Sequence, residues 1–156
     1  MKKNFLILGL GNDILTDDGI GIKLCREMEF FFSDEKVTFD TVSLGGLEIL
    51  EYIQGYKNVI FIDAIKTPGG IPGTVYYFTP SDFKETSNLD NLHDVSFLTA
   101  LEIGKKLNMN IPENIHIIAV EIIEDLTFSE EFTPEIQEKY PEIILQTKSI
   151  IEKILI

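Results

Sequence analysis

The sequence predicts a three-layer α/β/α sandwich on a mostly parallel five-stranded sheet with one antiparallel edge strand. Three observations lead there. Short unbroken apolar runs, Phe5–Leu8 and Val59–Ile62 foremost, have the pattern of strands buried on both faces. Between such runs stand segments with apolar residues at helical spacing, as at Ile20, Leu24 and Met28. The two kinds of segment alternate along the chain, which is the mark of crossover connections and a parallel sheet. A length of 156 residues favours a single domain, 1–156.

Each element has its own reason. Phe5 to Leu8 reads as the first strand, and Thr16 or Asp17 can cap the helix that follows. Val37, Phe39 and Thr41 alternate with polar partners in a second strand, Lys36 to Val42, which Gly45 and Gly46 break. Leu47 to Ile53 suggests a short helix, and Val59 to Ile62 a buried strand ending at Asp63. The turn-rich stretch Thr67 to Gly73 is too short for a crossover, so Thr74 to Phe78 is expected as an antiparallel edge strand. Residues 79–92 read as irregular, Val95 to Leu107 as a helix, and Ile115 to Val120 as a strand. Pro134 opens a final helix that a second proline, Pro141, is expected to break.

Composition narrows the function. The net charge of −13 repels nucleic acid and anionic membrane, so neither is expected as a partner. No apolar run approaches the roughly 20 residues of a membrane span. Met1-Lys2-Lys3 imitates the start of a signal peptide, but the apolar stretch stops at Gly9 without a cleavage site. The single cysteine, Cys25, allows no internal disulfide, which fits a reducing, cytoplasmic setting. It sits mid-helix among apolar neighbours and reads as a small buried hydrophobe, not a nucleophile. No G-x-S-x-G elbow is present.

The segment Gly9-Leu-Gly-Asn-Asp-Ile-Leu-Thr-Asp-Asp-Gly-Ile-Gly21 follows the first strand as a nucleotide loop would. A dinucleotide fingerprint needs a third glycine where Ile14 stands. It also places Asp17 and Asp18 at a helix start, where the dipole favours carboxylates and where two negative charges would repel a pyrophosphate. The glycines therefore read as a tight turn, and the acids as facing a cation, or else as helix caps. Asp63 ends a buried strand, and sites in such sheets lie at the carboxyl ends of strands. His93 precedes a helix; with two carboxylates it makes a donor set suited to zinc or nickel, with positions left open for substrate. His116 falls inside a strand, as a packing or edge residue.

The pattern Gly9-x-Gly11-Asn12-x-x-x-x-Asp17-Asp18-Gly19-x-Gly21 resembles the N-terminal signature of the hydrogenase maturation proteases. Ile62-Asp63-Ala64 with Pro72-Gly73-Thr74 is similar to the family's second block, and Leu92-His93-Asp94 with Leu98-Thr99-Ala100-Leu101 to its histidine block. Val120-Glu121 and Phe128 to Pro134 resemble the last strand and the entry to the last helix. Gly45 and Gly46 lie where the family carries a glycine-bearing recognition loop, with looser agreement.

The resemblance implies the α/β/α fold and a monomeric endopeptidase. The enzyme would remove the C-terminal extension of a nickel-iron hydrogenase large-subunit precursor after nickel insertion. It also implies that Asp18, Asp63 and His93 form the catalytic and metal-contacting site. The nickel would come with the substrate, and zinc or another divalent metal could occupy the same donors. Whether the metal activates a water or carbonyl, or a carboxylate acts as base, stays open at this level. The alternatives are a nonenzymatic nickel-binding maturation partner, a nucleotide-binding module, and a different peptidase on the same fold.

Overall fold

The computed structural model describes residues 4–32, 36–43, 46–85 and 92–156, with the side chains of 83–85 and 92–97 outside the description. Five strands build the sheet: β1 (Phe5–Leu10), β2 (Val37–Val42), β3 (Asn58–Ile65), β4 (Val75–Phe78) and β5 (Asn114–Glu121). Their order is β2-β1-β3-β5-β4. The first four in that order run parallel, and β4 lies antiparallel against β5. Among the described residues five α-helices accompany them: α1 (Ile20–Phe31), α2 (Ile49–Ile53), α3 (Pro80–Glu85), α4 (Leu92–Lys106) and α5 (Pro134–Leu155).

The apolar runs explain the layers. All eight residues of β3 are buried, as a central parallel strand requires. Side chains alternate along it. Val59, Phe61 and Ile65 join Leu6, Leu8 and Leu10 beneath α2 and α4. Ile60, Ile62 and Ala64 join Ile7 beneath α1 and α5, against Ile20, Leu24, Met28, Ile136, Ile143 and Ile151. Each fully buried aliphatic side chain stabilises the fold by about 1.5–3 kcal/mol, so the two faces together hold both helix layers down. The architecture is the expected three-layer sandwich with one antiparallel edge strand. No described helix is long and apolar enough to cross a membrane.

Several local expectations are corrected. Within the stretch read as irregular, Pro80–Glu85 is a helix. Proline fits its first turn, and Asp82 caps it, its Oδ2 accepting the Thr79 amide at 2.7 Å and the Thr79 hydroxyl at 3.1 Å. Pro141 does not break α5, which runs unbroken for 22 residues. Its ring is on the exposed side, while Ile136, Ile143 and Ile151 are buried before and after it, so packing carries the helix across the missing hydrogen bond. Helix α4 starts at Leu92, three residues earlier than the apolar spacing indicated. Strand β3 continues two residues beyond Asp63. Gly45 lies outside the described residues, and Gly46 opens a short 3-10 turn.

Candidate active site

The chain leaves β1 for β2 on one side and returns to β3 on the other, so strand order reverses between β1 and β3. Such a switch point opens a crevice at the carboxyl ends of the strands. Pairing between β1 and β3 runs from Phe5–Asn58 to Gly9–Ile62, so Asp63 is the first β3 residue beyond it. By strand alternation it belongs to the face covered by α2 and α4. Asp63 is buried, and its Oδ1 accepts the Ala64 amide at 2.8 Å.

From β1 the chain turns through Gly11 into a 3-10 turn, Thr16–Gly19, and then α1. The glycines of this segment permit close approach of backbone to backbone. A Cβ on Gly21 would stand 2.3 Å from the Leu10 carbonyl oxygen and 2.4 Å from that of Ile62. A Cβ on Gly11, whose φ is +139°, would stand 2.1 Å from the Asp18 carbonyl oxygen. The start of α1 is thereby pressed against the carboxyl ends of β1 and β3, and Asp18 comes to the same sheet edge as Asp63. Asp18 is buried, and its Oδ2 accepts the Asn12 amide at 2.9 Å.

Asp17 behaves differently from its neighbour. It is fully buried and turns away from the crevice toward the β5–α5 connection. One oxygen accepts the amides of Ile123 and Glu124 at 3.1 and 3.0 Å, and the other accepts the Thr133 amide at 2.8 Å. The Thr133 hydroxyl lies 3.1 and 2.9 Å from the two oxygens. These donors offset the desolvation of the carboxylate, which would otherwise be prohibitive. Of the acid pair, therefore, Asp17 is a tie between distant segments, and it does not cap its own helix. Thr16, beside it, has φ +54°, a strained conformation for a β-branched residue that costs about 1–3 kcal/mol. It is held there by its amide on the Ser129 carbonyl at 2.9 Å and its hydroxyl on the Thr127 carbonyl at 2.5 Å.

His93 lies in the first turn of α4, and its side chain is outside the described residues. Helix α4 feeds β5 at the sheet's amino edge, where the Asn110 carbonyl accepts the Gly55 amide, so the helix begins toward the carboxyl edge. Among the described residues no three His, Cys, Asp or Glu side chains gather as a metal site. Asp18 and Asp63 are oxygen donors of the kind a divalent metal accepts.

Another buried acid at this edge, Glu121, is absent from the site that the sequence predicts. It ends the apolar run of β5 just as Asp63 follows that of β3, a signal that could have found it. Its Oε2 accepts the Thr67 amide at 2.7 Å, and its Oε1 accepts the hydroxyls of Thr67 and Tyr76 at 2.5 and 3.0 Å. Glu121 thus moulds the loop after β3. Burial, then the bond to Glu121, raises the Tyr76 phenol above its ordinary pKa.

The remaining candidates are structural. Burial pushes the Cys25 thiol up to about 12, and its Sγ donates to the Asp40 carbonyl at 3.3 Å, so it is no nucleophile. His116 pairs its Nδ1 with the Tyr77 hydroxyl at 2.6 Å in the amino half of β5, away from the crevice, and burial lowers its pKa.

Comparison with known proteins agrees with this fold. The pattern of the HycI hydrogenase maturation protease family matches residues 4–150. The hydrogenase 2 maturation protease of Escherichia coli is 30% identical over 122 residues, covering 70% of this chain and 74% of that protein. Protein FrxA of Pyrococcus furiosus is 29% identical over 145 residues, covering 89% and 98%. The solved structure of the hydrogenase maturating endopeptidase HybD from E. coli superposes with a TM-score of 0.73 at 21% identity, covering 98% of this chain and 93% of that one. The chain belongs to the hydrogenase maturation protease family and has an endopeptidase's role in hydrogenase maturation.

Proposed function

We propose that this protein removes the C-terminal extension of a nickel-iron hydrogenase large-subunit precursor once nickel has been inserted, acting as a cytoplasmic monomer. In this reading Asp18, Asp63 and His93 complete the coordination of the nickel that the substrate brings, and zinc would suit the same donors. Recognition then depends on differential affinity: the precursor binds tightly only when its metal is in place. Hydrolysis adds water across the peptide bond. Asp18 or Asp63 takes the water's proton, and the amine of the departing extension receives one.

The observation that carries the reading is the pair of buried carboxylates, Asp18 and Asp63, at one sheet edge beside the β1/β3 switch point. Each is steadied by a backbone amide, at 2.9 and 2.8 Å. The test is incubation of the purified protein with an extended precursor, with and without nickel, read by intact mass. Loss of the extension only with nickel, abolished in Asp18→Ala and His93→Ala, is the expected result. Nickel retention by the protein with no mass loss under any condition would replace the protease with a nonenzymatic nickel-binding partner.

A further inference from the structure

The loop that Asp17 holds has an unusual surface. Leu126 is 82% exposed and Phe128 79% exposed, on a connection where polar residues are the norm. Exposed Ile14 lies on the facing loop after β1. The two loops are paired: the Ser129 amide donates to the Ile14 carbonyl at 2.9 Å, and the Thr16 amide returns the bond to Ser129. Within the Leu126 turn, Glu124 Oε1 accepts the amides of Leu126 and Thr127 at 2.8 and 3.1 Å. The backbone beneath the apolar side chains is therefore pinned from both sides, and their exposure is built in.

The charge around them is acidic in balance, although Lys66 pairs with Asp125 at 3.4 Å and Lys23 donates to the Glu130 carbonyl from neighbouring elements. Between residues 122 and 133 stand Glu124, Asp125, Glu130 and Glu131, with no lysine or arginine. An apolar patch in an acidic frame complements an apolar patch framed by Lys and Arg. It repels an acidic surface and, on a chain of net charge −13, a second copy of itself.

We propose that Leu126 and Phe128, with Ile14, are the docking surface for the folded body of the precursor, whose matching face is apolar and ringed by basic residues. Asp17 holds this surface in register with Asp18, its neighbour in sequence, so that docking brings the extension to the crevice. This inference rests on the proposed protease reading for the partner's identity.

The experiment compares wild type, Leu126→Ser/Phe128→Ser and Phe30→Ser, measuring both precursor affinity and the concentration dependence of cleavage. Phe30 is 85% exposed but lies near the far end of α1. Substitutions of exposed side chains leave the unfolding midpoint nearly unchanged, which confirms folding. The expected result is an at least tenfold weaker Kd and higher KM for the double variant, with kcat at saturation retained and Phe30→Ser unaffected. Wild-type Kd and KM in the double variant, or an equal loss in Phe30→Ser, would overturn the docking surface and leave the protease reading intact. Binding by wild type without cleavage, lost in the double variant, would sink the protease reading and keep the surface. Neither binding nor cleavage by wild type would sink both.

Discussion

Asp17 and Thr133 lie 116 residues apart, and the carboxylate of one holds both the amide and the hydroxyl of the other at 2.8–3.1 Å. Thr133 is also the N-cap of α5, so one carboxylate joins the turn after β1 to the start of the last helix. Asp17→Ala would strand the amides of Ile123, Glu124 and Thr133. Unmet buried donors cost about 1–3 kcal/mol each, and partial hydration will moderate the sum. We expect a loss on the order of 3 kcal/mol in urea unfolding. Asp17→Asn should be nearly as harmful, since its NH2 faces donors. Thr133→Ala, which keeps the amide bond and loses only the hydroxyl's bond to Asp17, should cost only about 1.5 kcal/mol. An Asp17→Asn protein with wild-type stability would contradict the tie.

Gly21→Ala tests the seating of α1. The added methyl meets backbone first, the carbonyl oxygens of Leu10 and Ile62, which cannot swing aside. The helix must lift from the sheet, and a loss of about 2 kcal/mol or more is expected, with weakened cleavage because Asp18 moves too. Gly104→Ala is the contrast. There the methyl meets the side-chain ends of Ile111 and Leu50, which can shift, and alanine favours the helix by about 1 kcal/mol, so the net change should be small. Equal effects at both positions would argue against the close approach.

Glu121→Gln replaces one of the two acceptor oxygens that shape the loop after β3 with a donor. The Thr67 amide should exchange its hydrogen faster, and the Tyr76 phenol should titrate at lower pH, because one of the causes raising it is gone. Spectroscopic titration of the tyrosines reads the second effect. An unmoved titration curve would show that burial alone sets the Tyr76 value.

Cys25 gives a pH dependence with a definite sign. Its thiol is raised from 9.0 to about 12 by burial. The stabilisation of the neutral folded thiol is fully present below the unfolded value and is lost as pH climbs toward the folded one, because only the unfolded chain releases the proton. Through that window stability should fall by at most ~1.4 kcal/mol per pH unit from this residue. Urea midpoints collected across this alkaline range should fall less steeply for Cys25→Ala than for wild type. Parallel slopes would mean the thiol ionises alike in both states.

Much of this architecture is written in local pattern. The runs Phe5–Leu8 and Val59–Ile62 have the length and bounds of strands covered on both sides, and the four-residue spacing of Ile20, Leu24 and Met28 keeps them along one helix face. With a loop too short to cross over before β4, these patterns sufficed for a parallel sheet, its antiparallel edge strand and the edge where acids gather. Long-range partners were beyond the reach of pattern. Asp17 and Asp18 are the same residue type side by side, yet one carboxylate is bonded to Thr133 and the other to Asn12. A 3-10 turn sends successive side chains about 120° apart, and only the arrival of the β5–α5 loop decides which acid it claims. Pro141 makes the same point: the local rule forbids a continuous helix, and the burial of Ile136, Ile143 and Ile151 on one face outweighs it. Sequence therefore determined which segments must be buried and in what form, because that depends on near neighbours. Tertiary structure alone decided which polar groups met, because a buried carboxylate is satisfied by whichever donors the finished fold brings to it.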